Sequence, residues 1–521
     1  WNHVFNDIHI TNFFAGTEIN STDRSKNYYQ GWGMQYSMGE IPYYVYEFFK
    51  KGIEDGNNYY SLSQTRSRSA AFFANATYSY KGRYTVNGTA RYEGTNRMGK
   101  SRSARWLPTW NVSGAWNAHE EKFFSNLTSV LSHFTLKASY SLTADRGPAD
   151  VTNSQAIITS YSPYRPFTSI QESGLYIKEL ENSELTYEKK HELNIGADMG
   201  FLNNRINLAV DWYKRNNYDL IGIVNTQGAG GQILKYANIA SMKSHGIEFT
   251  LSTKNIKTKD FNWNTDFIFS NAKNEVTDLK QNANVMELIS GNGFAKQGYP
   301  VRGLFSIPFV GLDKDGIPVI INEKGEATST DINFQERQNT GFLKYEGPTD
   351  PTITGSLGNM FSYKGFRLNL FITYSFGNVI RLNPVFKAYY SDLTAMTREF
   401  KNRWTLPGDE AKTNVPAILS KRMYDSNEDL KYAYNAYNYS TERIAKGDFI
   451  RLKEISLAYD FPKAWINPLK LTDLSLKVQA TNLFLIYADD KLNGQDPEFF
   501  NAGGVASPVP RQFTITLRLG L

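Results

Sequence analysis

The sequence contains no cysteine, which excludes disulfide bonds and metal sites built on thiolate ligands. It also lacks the roughly 18 to 20 consecutive apolar residues that a transmembrane helix requires. The net charge of +6 is spread over 521 residues without a dense basic block, so we expect no nucleic-acid partner. No secretory leader can be recognised and residue 1 is Trp, so we interpret the chain as a piece of a longer protein.

Catalytic and metal-binding motifs are scarce as well. The six histidines show no pair with the spacing of metal ligands, and no G-x-S-x-G motif surrounds a serine. The segment Asp313–Gly316 has an acidic pattern, but the position where an EF-hand needs Glu is occupied by Lys324. A hairpin turn is the favoured interpretation of that segment. We therefore predict no enzyme activity, no metal site and no cofactor, and leave open whether loop carboxylates bind calcium.

Alternation of apolar and polar residues is the main pattern present. From Gln512 to Leu521 every second residue is apolar and the residues between them are mostly polar, as in a strand with one apolar and one wet face. About 14 segments of this kind occur, each on the order of 10 residues. One segment, 449–459, breaks phase, and a β-bulge near Lys453 and Glu454 would restore the alternation.

The connections between these segments differ in length. Short joins are predicted at 81–83, 202–205 and 364–365, whereas most others are long. Outer-membrane barrels show this asymmetry, with short periplasmic turns and long external loops. We therefore predict an all-β, antiparallel up-and-down transmembrane β-barrel. A large soluble protein of two packed sheets is the alternative, disfavoured by charged residues at mid-strand and by the loop lengths. The predicted long loops are 19–66, 145–188, 276–350, 379–446 and 488–509.

Several segments resemble the SusC/RagA-like family of TonB-dependent outer-membrane transporters. The stretch 182–221 (NSELTYEKKHELNIGADMGFLNNRINLAVDWYKRNNYDLI) is similar to a strand-turn-strand signature of that family. The segments 238–251, 347–378 and 447–465 resemble later strands in the same order. The closing stretch 510–521 (PRQFTITLRLGL) resembles the final strand. The likeness runs from about residue 60 to the end.

The resemblance implies an architecture larger than this chain. Large transporters of this kind use 22-stranded barrels that contain a plug. About 14 strands would leave the plug domain and the N-terminal strands outside residues 1–521. An open sheet of that size would expose unpaired backbone to lipid, which hydrocarbon does not tolerate. We therefore expect the chain to be the C-terminal part of the barrel, with a self-sufficient smaller barrel as the alternative.

The resemblance also implies a function and a location. Members import oligosaccharides or oligopeptides across the outer membrane of Gram-negative bacteria. They act with a SusD-like surface lipoprotein and are driven by TonB, which would contact the missing N-terminal region. The barrel wall would contact outer-membrane lipid. A passive porin-type channel and an adhesin or structural barrel are the alternatives.

Aromatic side chains in the predicted loops are the best ligand candidates. Flat amphipathic rings stack on sugars and pack on peptides, and a tyrosine hydroxyl remains able to hydrogen-bond. The alternative is that these rings form an interfacial girdle or pack inside their own loops. Arg381 and Arg422 could serve an acidic substrate, although a solvated surface position is favoured for them. The predicted contacts to substrate or partner are Tyr28, Tyr29, Trp32, Tyr43, Tyr44, Tyr161, Tyr164, Tyr389, Tyr390, Tyr434 and Tyr437.

Overall fold

A computed structural model describes residues 1–57, 59–148, 156–161, 172–226, 228, 234–390, 397–500 and 508–520. Within these ranges, fifteen antiparallel strands form one large sheet, and strands that are neighbours in the sheet follow one another in the same order along the chain. The sequence predicted about 14; the additional strand is the four-residue β1, too short to show alternation. The strands are β1 (Asn2–Phe5), β2 (His9–Tyr29), β3 (Tyr60–Tyr80), β4 (Tyr84–Thr95), β5 (Trp106–Asn117), β6 (Leu131–Asp145), β7 (Glu188–Phe201), β8 (Ile206–Asn225), β9 (Leu234–Lys257), β10 (Phe261–Leu279), β11 (Ile353–Tyr363), β12 (Phe366–Phe376), β13 (Phe449–Asp460), β14 (Asp473–Ala488) and β15 (Gln512–Gly520).

The three predicted short turns are confirmed. Tyr363 pairs with Phe366, which leaves Lys364 and Gly365 as a two-residue turn. Both have positive φ, at 45° and 90°, as the twist of a tight hairpin requires. Residues 81–83 join Tyr80 to Tyr84 in the same way, and 202–205 join β7 to β8.

The last three strands show the two faces of the sheet. Leu457, Val478 and Ile515 lie side by side across β13, β14 and β15, and Val478 and Ile515 are 48% and 73% exposed. On the opposite face, the preceding residue Lys477 pairs with Thr516, and its ammonium lies 3.8 Å from the carboxylate of Glu454. Exposed apolar side chains on one face and paired charges on the other are what a wall between lipid and water requires.

The same division appears in β3 and β4. Asn75 donates to the Thr89 hydroxyl over 2.7 Å, and Asn87 donates to the Thr77 hydroxyl over 2.6 Å. Both pairs face each other in the register of the two strands. On the opposite face Val86 is exposed. The polar face of this hairpin is therefore satisfied by its own cross-strand hydrogen bonds.

The predicted bulge in β13 is confirmed. Phe371 pairs with Glu454 and the next residue of β12 pairs with Leu452, so Lys453 has no partner in that ladder. The ladder with β14 shifts at the same place, and there Asn482 has a φ of 54°. The extra residue in β13 places the apolar side chains before and after the bulge on the same face of the sheet.

The first predicted loop is shorter than expected. The prediction placed a loop at 19–66, but β2 continues to Tyr29 and β3 begins at Tyr60, and the two pair in register throughout. Each strand has 21 residues and extends about 70 Å at the usual rise per residue. About 9 to 11 tilted residues suffice to cross a membrane. The distal half therefore projects beyond the membrane, which explains why the run 20–27 (NSTDRSKN) shows no alternation and is polar on both faces.

The hydrophobic core lies in the loops rather than in the sheet. Three clusters of buried apolar residues involve segments between 283 and 500. We define the loop assembly as residues 280–352, 377–390 and 397–448. Its strands are Gly303–Ser306, Phe309–Leu312, Pro318–Ile321, Ala327–Thr328, Lys344–Pro348, Val379–Arg381 and Ile444–Lys446, and its α-helices are Val285–Ile289, Lys421–Ser426 and Leu430–Asn438.

Shorter elements occupy the remaining connections. The segment 30–59 contains the helix Tyr46–Glu54 and the paired strands Met34–Gln35 and Ile41–Pro42. The segment 146–187 contains the hairpin Ile157–Tyr161 with Gly174–Glu179. Helices Arg102–Arg105 and Lys463–Ile466 complete the α-helical elements of the described ranges.

Two compact units can be distinguished by their internal contacts. The first comprises Trp1–Gly114, Ser139–Glu192 and Asn217–Ala240. The second comprises Ala115–Ala138, Leu193–Asn216 and Ser241–Leu521, and includes the loop assembly. Within the parts of the chain that the structure describes, the helices are too short or too polar to cross a membrane.

Candidate ligand-binding site

The loop assembly folds around the helix Leu430–Asn438, which is the centre of its apolar packing. Tyr434 is 2% exposed, and its hydroxyl donates to the Ala417 carbonyl over 2.6 Å. Tyr437 is equally buried and packs edge-on against Phe386, with ring centroids 5.1 Å apart. Desolvation by burial raises the pKa of both hydroxyls. The helix thus places its aromatic face in the core of the assembly.

This burial corrects the prediction for Tyr434 and Tyr437. Their rings have no face left for a sugar or a peptide because neighbouring side chains cover them. The amphipathic character of tyrosine serves here to fill apolar space while one hydroxyl satisfies a buried carbonyl. The alternative interpretation, packing inside the loop, is the correct one for these two residues.

Tyr389 and Tyr390 have different environments although they are adjacent. Tyr389 is 42% exposed and stacks on Tyr424, with ring centroids 6.2 Å apart. Tyr390 packs edge-on against Phe400 at 5.1 Å, its hydroxyl donates to the Val385 carbonyl over 3.2 Å, and burial raises its pKa to about 12. Tyr389 therefore remains a candidate for ligand contact, whereas Tyr390 mainly fixes the local chain.

The aromatic residues of the first connection divide in the same way. Tyr28 and Tyr29 lie at the end of β2 rather than in a loop, and both rings are exposed. Trp32 packs edge-on against Phe49 at 5.3 Å and covers the helix beside it. The remaining predicted contacts here, Tyr43 and Tyr44, are exposed.

The third predicted aromatic group is only partly described. Tyr161 is exposed and meets Tyr176 edge-on at 5.5 Å across the hairpin of that connection. Tyr164 lies outside the described residues.

Three buried arginines form a feature that the sequence reasoning missed. Arg381, predicted to be a solvated surface residue, is 4% exposed. It donates to the Ser440 carbonyl over 2.9 Å, and also to the Phe305 carbonyl and the Ser306 hydroxyl over 2.5 and 3.1 Å. Burial lowers its pKa to about 9, so it remains charged at neutral pH. Arg422, the other arginine considered, is exposed as expected.

Arg443 and Arg451 are buried nearby along the chain and hold carboxylates. Arg443 donates to Glu399 and lies 4.7 Å from the Phe386 ring centroid. Arg451, on β13, donates to Asp496 over 2.5 Å and lies 2.9 Å from a Glu498 oxygen. Arg451 therefore connects the wall to the last long connection. The sequence places Arg443 shortly before β13 and Arg451 near its start, but it carries no local sign of the distant carboxylates that they hold.

A groove of about 810 Å³ lies beside Arg451. Its lining includes the Asn482 amide, the carboxylates of Asp489 and Asp496, and the Phe500 ring. It combines hydrogen-bonding groups with apolar surface, so it can hold a polar ligand by contacts without chemical change.

Carboxylates of the segment Asp313–Gly316 and of the last long connection hydrogen-bond to backbone N–H groups. The Asp313 carboxylate accepts from the backbone N–H groups of Asp315 and Ile317, each over 2.9 Å, which closes the turn between two paired strands. The hairpin interpretation is thus confirmed. Asp489 accepts from the Lys446 and Lys491 N–H groups. Within the described ranges, no three or more His, Cys, Asp or Glu side chains are grouped so that they could hold a metal ion.

The antiparallel sheet with one apolar and one polar face, carrying a folded loop assembly, defines an outer-membrane β-barrel. The chain belongs to the family described as TonB dependent receptor-like, beta-barrel, whose model matches residues 2–483. The prediction of an outer-membrane β-barrel is therefore confirmed.

Comparison with curated proteins identifies two informative relatives. TonB-dependent receptor P39 of Formosa agariphila is 26% identical over an alignment that covers 100% of this chain and 52% of that protein. TonB-dependent receptor SusC of Bacteroides thetaiotaomicron is 26% identical, with 91% of this chain and 47% of that protein covered. The predicted resemblance to SusC/RagA-like receptors is thereby confirmed. The chain spans about half the length of these relatives.

Solved structures agree on the fold. The structure of the RagAB peptide transporter matches with a TM-score of 0.77 at 21% identity, covering 100% of this chain and 54% of that chain. The RagAB peptide importer in the closed-closed state matches with a TM-score of 0.76 and the same coverage. At this identity the likeness concerns the fold alone.

Proposed function

We propose that this chain supplies barrel wall and external loops to a TonB-dependent importer of oligosaccharides or oligopeptides in the outer membrane. The observation that carries the proposal is the sheet with an exposed apolar face and a polar face of cross-strand hydrogen bonds, in a member of the TonB-dependent receptor family. Relatives named TonB-dependent receptor support the importer class, and the RagAB peptide transporter, similar in fold, supports the peptide alternative. The oligosaccharide alternative rests on the resemblance of the sequence to SusC/RagA-like receptors.

The proposal assigns further parts to the complete receptor. A plug domain, the N-terminal strands and the TonB-contacting segment would be contributed outside residues 1–521, in keeping with relatives about twice as long. A SusD-like lipoprotein would cover the external mouth and meet the loop assembly. No bond is made or broken in this function, so the protein acts as a transporter and not as an enzyme.

Exposed tyrosines are the proposed contacts with cargo or lipoprotein. Tyr389 with its stacked neighbour Tyr424 presents an aromatic surface on the loop assembly. Tyr43 and Tyr44 present another at the tip of the β2–β3 hairpin. Replacing Tyr389 with Ala removes a ring available for stacking, so we expect weaker cargo binding. Tyr389→Phe keeps the stacking ring and is the matched control, which should bind nearly as well as the unchanged receptor.

Uptake in living cells tests the importer function directly. Cells carrying the receptor are supplied with labelled oligosaccharides or oligopeptides identified by binding to the purified receptor. We expect uptake to cease when the gene for TonB is deleted and to fall when the co-purifying lipoprotein is removed. Unchanged uptake without TonB would contradict active import and would indicate a passive channel instead.

A further inference from the structure

A small pocket lies among loop segments of the second compact unit. It has a volume of about 330 Å³ and is bounded by Leu382 and Asn383, by the turn Thr397–Glu399 and by the segment Lys491–Asn493, with Arg443 also in its lining. It adjoins the groove beside Arg451, because Asn383 lines both. A ligand held in the groove could therefore extend a small group into this pocket.

The lining of the pocket carries an excess of positive charge. The described lining residues include three basic side chains, Arg398, Arg443 and Lys491, and one carboxylate, Glu399, which leaves a formal excess of two positive charges. Arg443 itself is 4% exposed and donates to Glu399 and to the Asn383 carbonyl. Because water screens a buried charge poorly, a cation buried to this degree attracts an anion more strongly than an exposed cation does.

Two hydrogen-bond donors in this lining have no partner. Within the described part of the chain, the Arg443 Nε–H and the Thr397 hydroxyl are both buried without a hydrogen-bond acceptor. Such groups are rarely left unsatisfied in folded proteins, so each indicates an acceptor that joins the site. A negatively charged group with acceptor oxygens would satisfy these two donors and offset the positive charge of the lining.

We propose that this pocket binds a carboxylate group of the cargo. The inference rests on the proposed import function and narrows its substrate class to acidic molecules. A carboxylate has acceptor oxygens and no donor, so it can receive the Arg443 Nε–H and the Thr397 hydroxyl while its charge offsets Lys491 and Arg398. The group could come from an acidic sugar or from the C-terminus of a peptide. Both present the same chemistry to the pocket.

Binding of matched small probes tests the pocket without knowledge of the cargo. The purified full-length receptor is titrated in detergent micelles with triglycine and its C-terminal amide, and with glucuronate and glucose, and saturation-transfer NMR measures each affinity. We expect at least one carboxylate probe to bind about tenfold or more tightly than its neutral analogue, in line with a charge-assisted hydrogen bond. The pair that shows the difference identifies the peptide or the sugar source. Equal affinities within both pairs would overturn the proposal.

Variants assign the difference to this pocket. Thr397→Val keeps the side-chain shape and removes one donor, and Lys491→Gln removes one charge, so each should weaken carboxylate binding about threefold or more. Glu399→Gln removes the competing carboxylate and should strengthen binding. Lys412→Gln, which alters an exposed ion pair with Asp409, is the control and should change nothing.

The outcome separates this inference from the proposed function. If Thr397→Val and Lys491→Gln both leave carboxylate affinity unchanged, the pocket proposal is wrong. TonB-dependent uptake of an uncharged cargo by the same receptor would then leave the import function standing. Loss of TonB dependence with carboxylate selectivity retained would instead reject import and keep the pocket.

Discussion

Replacing Arg451 with Leu should release the last long connection from the barrel wall. The side chains of Arg451 and Asp496 are 6% and 8% exposed, and their charged atoms lie 2.5 Å apart. Removing one partner of a buried pair leaves the other charge desolvated and uncompensated, which typically costs about 3–5 kcal/mol. The second carboxylate, Glu498, has a side chain that is 41% exposed and can turn to solvent. Asp496 therefore bears most of the loss.

The loss of local stability can be measured as a faster rate of amide hydrogen exchange. The Phe499 N–H donates to the Asp496 carbonyl over 3.1 Å, and the Gln495 N–H donates to the Leu492 carbonyl over 2.9 Å. A loss of about 3 kcal/mol in local opening free energy should speed exchange of these amides roughly 100-fold. Mass spectrometry of peptides spanning 489–500, from receptor in lipid nanodiscs, would measure the change.

Two further variants make the reasoning refutable. Arg451→Leu combined with Asp496→Leu replaces the pair by apolar groups and should restore most of the protection, because no buried charge remains unpaired. Arg367→Leu breaks an ion pair with Asp460 in which the two side chains are 51% and 49% exposed. Exchange of the amides around that pair should therefore change less than about fivefold. If Arg451→Leu altered exchange no more than Arg367→Leu, the pair would not hold the connection.

Three further predictions concern the loop core, a tight turn and the two faces of the sheet. Tyr434→Phe loses one buried hydrogen bond and should destabilise the loop assembly by about 1 kcal/mol, whereas Tyr434→Ala leaves a cavity in the core and should cost about 3–5 kcal/mol. Limited proteolysis of the loops measures both variants, and equal effects would contradict the packing described. Gly316→Ala should also sensitise the loops to protease, because φ is 75° there and an added Cβ would lie 2.6 Å from the Trp404 ring; normal resistance would refute the tight turn. Val478→Arg on the apolar face should lower the free energy of unfolding by about 2–4 kcal/mol near the membrane midplane, whereas Lys477→Arg on the polar face should leave it unchanged. Urea titration of the receptor in lipid measures both variants, and equal losses would refute the assignment of faces.

The strands were predictable because their pattern depends on a local cause. Each residue of a wall between lipid and water meets one of two solvents, so alternation appears wherever a strand crosses. Even the break at Lys453 could be placed, since a shift of one residue would otherwise turn every later side chain to the wrong face. The distal parts of β2 and β3 were missed for the same reason. Beyond the membrane neither face meets lipid, so residues 20–27 and 63–66 are polar on both faces and resemble a loop.

The interior of the loop assembly was not predictable from local pattern. Whether Tyr434 is a ligand contact or a core residue depends on Ala417, 17 positions away, and on the segments packed around it. The carbonyls that hold Arg381 belong to Ser440 and Phe305, which are 59 and 76 positions distant. A single sequence carries no local sign of such pairings. By contrast, the Asp313–Gly316 turn was identified correctly, because its hydrogen bonds are made within four residues.

The division of the sheet into two faces can be measured directly, because this chain has no cysteine to interfere with single-site labels. Spin labels would be placed one at a time at residues 476–480 of β14 in the receptor reconstituted in lipid. The account predicts that oxygen dissolved in the bilayer relaxes labels at Leu476, Val478 and Ala480, whereas a water-soluble nickel complex relaxes those at Lys477 and Gln479. Labels that show no alternation, or that neither reagent reaches, would contradict a wall between lipid and water.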